Sequence, residues 1–540
     1  MPLPLKTLPR SLVTGAAVLA GLAGMSGTAF ADKSLVYCTE GNPQSFNAQV
    51  STSGTTVNAV TPLFSKLVEM EPDGQIMNSG LAESYTISAD GLVYDFYLRR
   101  NVNFHSNDLF TPSRPLNADD VLFTFERQWK TDHPYHKIGP ATYDYFKDMG
   151  LPTLLKSVEK LGDHTIRITL DHPEAPFLAD LAMPFLSIQS AEYADTLMKA
   201  GRPDLFDEKP IGTGPFHLVS YQKDVAIRYK AFDGYWRGRQ PLDNLIYSIT
   251  PNIAVRLNKL RSGECHVMIF PNPAELGNIE KDPNLVLEQQ DGRNVAYMAF
   301  NTQKPPLDDV RVRRAITLAI DKRTLVDAVY QNGGLPAKNP IPPGMWSYND
   351  GIEDYPFDPV EARRLLVEAG YPEGFALDLW YTPVTRPYLP SGKRAAEIIR
   401  ENLERVGIKL TLKTESWGNY RRNVTKGDQD MVLYGWTGDN GDPDNFLYFL
   451  LSCGAVRPGG ANIARWCNSD FEEQITRAKV TSDVARRTAH YREAQQIFHR
   501  ETPWFPIANS IIVVAHRQEV KNYTNNIFNQ DFSGVDIEVQ

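Results

Sequence analysis

Cysteine is scarce in this chain: there are four in 540 residues, Cys38, Cys265, Cys453 and Cys467. Their spacings lack C-x₂-C pairs, which argues against a zinc site. Catalytic signatures are missing as well. There is no H-E-x-x-H, no P-loop, no G-x-S-x-G and no G-x-G-x-x-G opening a helix. Basic runs are absent and the formal net charge is −9. That balance fits neither nucleic acid nor an anionic membrane as partner. Beyond the N-terminus no segment is long and apolar enough to span a bilayer. Internal repeats and low-complexity segments are absent too.

What is present begins with an export signal. Lys6 and Arg10 precede a short apolar stretch, Ser11 to Met25, and Ala29-Phe30-Ala31 is an A-x-A cleavage site. The mature chain is expected to start at Asp32, with residues 1–31 removed. An even cysteine count in an exported chain points to disulfides, with three possible connectivities. Cys453–Cys467 is favoured because it closes a short loop, worth roughly 3 kcal/mol in the chain-entropy model. Cys38–Cys265 then remains.

Along the chain, Ser34-Leu35-Val36-Tyr37 reads as a strand and Thr39 to Gly54 as a polar loop ending in hydroxyl-bearing residues. Val60 to Val68 has helical spacing. Ile87 to Arg100 alternates as a hairpin. Asn117 caps a helix carrying acids in its first turn. Asp308 is read as the cap of a helix through Val310 and Ile320. Asp358-Pro359-Val360-Glu361 is a strong helix start. His133 and His136 read as exposed turn residues rather than a metal pair.

From Phe375 onward a βαβαβ succession appears. Strands at 375–379, 408–412 and 431–434 are separated by helices at 393–406 and 417–424, so parallel strands with right-handed crossovers are expected. The third strand feeds Gly435-Trp436-Thr437-Gly438-Asp439-Asn440-Gly441-Asp442-Pro443-Asp444-Asn445. This stretch is either a polar turn or a ligand site. Counted from Asp439, an EF-hand would need Gly and Glu where Asp444 and Leu450 stand. Arg386 and Asp439 each lie past the carboxyl end of a strand, where open α/β sheets bind ligands. Arg binds carboxylate bidentately and Asp binds an ammonium. A short zwitterionic peptide would satisfy both, with Tyr388 and Trp436 lining its side-chain pockets. Asp442 and Asp444 are read as turn and capping residues.

Leu35 to Cys38, Thr52 to Thr55, Asn117 to Val121, Gly212 to Phe216, Phe232 to Trp236, Arg386 to Tyr388 and Gly435 to Phe446 together carry a resemblance. From about residue 34 to the C-terminus the chain resembles the periplasmic solute-binding proteins of peptide ABC importers, and its dipeptide subgroup in particular. The resemblance implies an α/β, two-lobed periplasmic binding protein fold with an extra subdomain in lobe I. Lobe I would comprise 32–64, 213–292 and 508–540, the extra subdomain 65–212, and lobe II 293–507. It implies disulfides Cys38–Cys265 and Cys453–Cys467. It implies Asp439 on the ligand ammonium and Arg386 on its carboxylate, with Thr52, Ser53, Gly54, Trp436, Thr437 and Gly438 lining the site. Function would be capture of dipeptides in the periplasm and delivery to a membrane ABC permease. The protein would be a monomer with no catalytic residue, no metal and no cofactor. Two rivals stand beside this reading: the same fold carrying a longer peptide, haem or a metal complex, and a secreted peptidase.

Overall fold

One strand, Trp504–Arg517, organises the molecule. Its fourteen residues reach roughly 45 Å at about 3.4 Å per residue. Its first part pairs antiparallel with Asn294–Phe300, and its last part with Val267–Ile269 and Leu285–Asp291. Nearly every residue of the strand is buried, and Trp504 to Ala508 and Ile511 to Ala515 supply an almost continuous apolar run, as a strand covered on both faces requires. The computed structural model describes residues 32–71, 76–77, 80–139, 142–331, 333–525 and 530–538. The expected signal peptide lies outside the described residues.

Around this strand lies a twelve-stranded sheet. On one side the order is Asn294–Phe300, Met431–Thr437, Phe375–Trp380 and Ile408–Lys413. On the other it is Val267–Ile269, Ser34–Thr39, Asn244–Ile249, Ala226–Ala231 and Phe216–Gln222. The βαβαβ expectation holds: Phe375–Trp380 is parallel to both Ile408–Lys413 and Met431–Thr437. The helix Gly392–Glu404 covers these strands with Ala395, Ala396, Ile399 and Leu403, a stripe of helical period. Ser391 caps it by accepting from the Arg394 amide.

A separate antiparallel sheet orders Ala82–Ile87, Val93–Leu98, Thr165–Leu170 and Leu155–Gly162. Asn117 caps the helix Ala118–Trp129 beside it in a full capping box with Asp120. Tyr94, Phe96, Ile166 and Ile168 share one continuous apolar cluster with Trp436, Phe446 and Phe449. The two sheets are therefore packed through the segment that follows Met431–Thr437. The disulfides are Cys38–Cys265 and Cys453–Cys467.

Four local expectations need correction. Val60 to Val68 is not a helix. The helix is Gly54–Val60, and Pro62, lacking an amide hydrogen, sits in a tighter turn, Thr61–Leu63, before the chain extends. The cap of Val310–Ala319 is Asp309, whose carboxylate accepts from the Arg311 amide, while the Asp308 amide is spent on Lys304 in a turn. His133 and His136 are half-buried: His133 packs its ring edge-on against Phe123, and His136 Nδ1 donates to the Arg127 carbonyl. The third βαβαβ strand runs on to Thr437, because Asn294 and Val295 continue the ladder opposite Thr437 and Trp436.

Candidate functional site

Loops from both sides of the long sheet meet over one cavity of about 90 Å³. Of the residues expected at the site, Thr52, Ser53, Gly54, Arg386, Tyr388, Trp436, Thr437 and Asp439 all line it. Gly438 does not. Its amide donates to the Arg293 carbonyl at 2.7 Å, and a Cβ there would come within 2.8 Å of the Phe446 ring. Its place is behind the wall, where only a hydrogen fits.

Arg386 is presented by a tight turn in which Arg386 and Leu389 exchange backbone hydrogen bonds at 3.1 Å. The turn is pinned by its own aromatic residue. A Cβ on Gly435 would run into the Tyr388 ring, so that ring lies directly on the strand backbone. The Tyr388 carbonyl accepts from the Tyr330 hydroxyl at 2.7 Å. The guanidinium then reaches across to the N-terminal loop, with Nη1 3.4 Å from Glu40 Oε1 and 3.5 Å from Thr55 Oγ1. Its carbon sits 4.9 Å from the centre of the Trp417 ring. Nε is buried with no hydrogen-bond partner among the described residues. The arginine is thus held in place but keeps donor capacity for a carboxylate.

Asp439 lies at the other chemical pole. Its amide and the Trp436 indole nitrogen both donate to Asn445 Oδ1 at 2.9 Å. One side-chain amide therefore fixes the acid and the aromatic together. The Tyr145 hydroxyl donates to Asp439 Oδ2. Burial pushes the Asp439 carboxyl up to about 7, and the Tyr145 hydrogen bond opposes that rise. No cation is paired with it among the described residues. A part-buried carboxyl without a counter-ion has the chemistry to pair with a cation brought by a ligand.

Between the poles run aromatic walls. Trp417 and Tyr434 lie nearly parallel with centres 6.2 Å apart, and Tyr388 is 6.3 Å from Tyr434. Trp436 packs against Phe449 at 4.8 Å. Ser53 stands at the cap of Gly54–Val60, and its side chain makes no cap bond to that helix. Thr437 Oγ1 is buried without a partner among the described residues. Thr52 accepts from Arg421, which also donates to Gln44 Oε1 at 2.9 Å.

Glu40, Tyr145, Trp417, Arg421 and Tyr434 were not among the expected site residues. Glu40 stands just past the carboxyl end of Ser34–Thr39, so the strand-end rule that singled out Arg386 and Asp439 applies to it equally. Tyr145 lies 294 residues from Asp439 and carries no sequence signal for this role. Asp442 and Asp444 do shape the turn, since the Asp444 amide donates to Asp442 Oδ1 at 3.0 Å. They are also buried ion-pair partners, Asp442 with Arg487 at 2.8 Å and Asp444 with Lys479 at 3.4 Å. Lys479 in turn holds Glu174 at 2.8 Å, joining this region to the segment after the smaller sheet.

Comparison with known proteins agrees with this architecture. The family model described as bacterial extracellular solute-binding proteins, family 5 middle, matches residues 77–457. A dipeptide-binding protein of Escherichia coli K12 is 48% identical over 508 residues, covering 94% of this chain and 95% of that protein. Heme-binding protein A of Haemophilus influenzae is 46% identical over 509 residues, covering 94% and 93%. The crystal structure of a dipeptide binding protein from Pseudoalteromonas sp. SM9913 in complex with Met-Leu superposes with a TM-score of 0.90 at 36% identity, covering 94% of this chain and 100% of that one. No described helix is long and apolar enough to cross a membrane. The chain belongs to the bacterial extracellular solute-binding proteins of family 5.

Proposed function

We propose that this protein captures dipeptides in the periplasm and hands them to a membrane ABC permease, acting as a monomer by binding and not by turnover. The observation that carries the reading is one cavity lined by both Arg386 and Asp439, whose carboxyl has no cation paired with it among the described residues. Asp439 takes the ligand ammonium and Arg386 its carboxylate. Ser53 and Thr437 supply hydroxyls to the peptide backbone. We take residues 32–64, 213–292 and 508–540 as lobe I, 65–212 as its extra subdomain and 293–507 as lobe II, with residues 1–31 cleaved on export. The ligand closes the lobes because its two charged ends are satisfied together only in the closed state. Mass spectrometry of ligand released from protein purified without denaturation tests this. Dipeptides are expected, and their absence in favour of another compound overturns the reading.

A second reading is favoured by the relative named for haem. Walls of Tyr388, Trp417, Tyr434 and Trp436 suit a flat apolar ligand. Absorbance titration with haem, repeated in the presence of excess Ala-Ala, separates the two. Saturable haem binding that Ala-Ala displaces would support haem as a ligand of this cavity, and haem binding that Ala-Ala leaves unchanged would overturn this second reading.

A further inference from the structure

A second chamber lies beside the main cavity, and Thr52, Arg421, Tyr434 and Trp436 are in the walls of both. The chamber has a volume of about 40 Å³. It is the smaller of the two spaces. Phe449, Leu450 and Ile463 give it apolar walls.

Two carboxylates, Asp144 and Asp148, also line it, and they are not equivalent. Asp148 is committed: it pairs with Arg457 and accepts from the Ala461 amide at 3.0 Å. Asp144 Oδ1 is buried and has no hydrogen-bond partner among the described residues. Leaving a buried acceptor unmet costs about 1–3 kcal/mol. Arg421, in the shared wall, donates to Gln44 and Thr52 and makes no hydrogen bond to Asp144 Oδ1, although its charge is felt there. A chamber lined by apolar side chains and by one unmet carboxylate oxygen is complementary to an unbranched side chain with a cation at its tip. The sequence neighbour of Asp144 is Tyr145, whose hydroxyl bonds Asp439. Trp436, which Asn445 holds together with Asp439, is in the wall of both spaces, so the chamber adjoins the Asp439 end of the site.

We infer that this chamber is a specificity pocket for the side chain of the ligand's first residue, that it accepts a lysine-type side chain, and that Asp144 is the residue that reads the terminal ammonium. The inference rests on the reading that a dipeptide occupies the main cavity. The Lys ammonium would donate to Asp144 Oδ1 while its methylenes pack on Phe449 and Leu450.

The test is calorimetry with Ala-Ala, Lys-Ala, norleucyl-Ala and Ala-Lys on the intact protein and on Asp144→Asn. Norleucine keeps the methylene shaft and lacks the ammonium. The expected result is that Lys-Ala binds about tenfold tighter than norleucyl-Ala, the size of one hydrogen bond to a charged group, and that Asp144→Asn brings that ratio close to one. The ratio in the unmodified protein decides even if the variant fails to fold. Equal affinities for Lys-Ala and norleucyl-Ala, a preference found only with Ala-Lys, or a ratio retained in Asp144→Asn would each overturn the inference while Ala-Ala still binds. Binding of none of the four would instead remove the dipeptide reading itself, and the inference with it.

Discussion

Arg386 Nη1 lies 3.4 Å from Glu40 Oε1, and each side chain is only 7% exposed. A protein carboxylate thus shares the guanidinium that a ligand carboxylate would need. Glu40→Gln removes that competing charge and leaves Arg386 buried without a counter-ion. Dipeptide affinity is expected to rise by about three- to tenfold, and the ligand-free protein to melt at lower temperature. Calorimetry and thermal unfolding read the two effects. A fall in affinity would show that Glu40 positions Arg386 more than it competes for it.

Asp439 sets a pH dependence. Its carboxyl is raised from 3.8 to about 7 by burial, and a bound ammonium would bring it down again. Dipeptide affinity is therefore full above about pH 7 and falls up to about tenfold per unit as pH drops below that, with proton release on binding. The sign is reversed for the ligand-free fold. A carboxyl whose folded value exceeds its unfolded value loses stability as pH rises from about 4 to about 7. Asp439→Asn should accordingly stabilise the ligand-free protein at pH 8 while abolishing dipeptide binding. Calorimetry in buffers of different ionisation enthalpy, together with melting curves, checks both.

Arg386→Ala should remove the distinction between a free dipeptide and its C-terminal amide. The unmodified protein should prefer the free acid by about 1.5–3 kcal/mol, the range for hydrogen bonds to charged groups. If the variant still strongly prefers the acid, another donor holds the carboxylate, and Arg421 is the next cation lining the cavity.

Lys479→Met leaves Glu174 and Asp444 buried against each other without their shared cation. Removing one partner from a buried ion pair costs about 3–5 kcal/mol. Denaturant unfolding at pH 8 should show a loss of that order. A stability change below about 1 kcal/mol would mean that the carboxyls simply take up protons.

Much of the fold was legible because its signals are local. Asp358 followed by Pro359 starts a helix in the structure as it does on paper, and the parallel βαβαβ order follows from alternating periodicities. The poles of the site were legible for one reason: Arg386 and Asp439 stand past strand ends. The rest depended on contacts that no local pattern encodes. Tyr145 reaches Asp439 across 294 residues, and Gln44 and Thr52 meet Arg421 from the opposite end of the chain. Gly438 was expected at the ligand because the family resemblance implied it. What approaches it is Phe446. The strand Trp504–Arg517 carries Pro506 inside it, where local propensity argues against a strand, and its extent follows from its pairing with Asn294–Phe300 and Leu285–Asp291.

The central claim is that both charged ends of a dipeptide are held at once, and calorimetry with Ala-Ala, N-acetyl-Ala-Ala and Ala-Ala-amide tests it most directly. The account predicts tight binding of Ala-Ala and a loss of about tenfold to a hundredfold on blocking either end. Undiminished binding of the acetylated or the amidated peptide would contradict it.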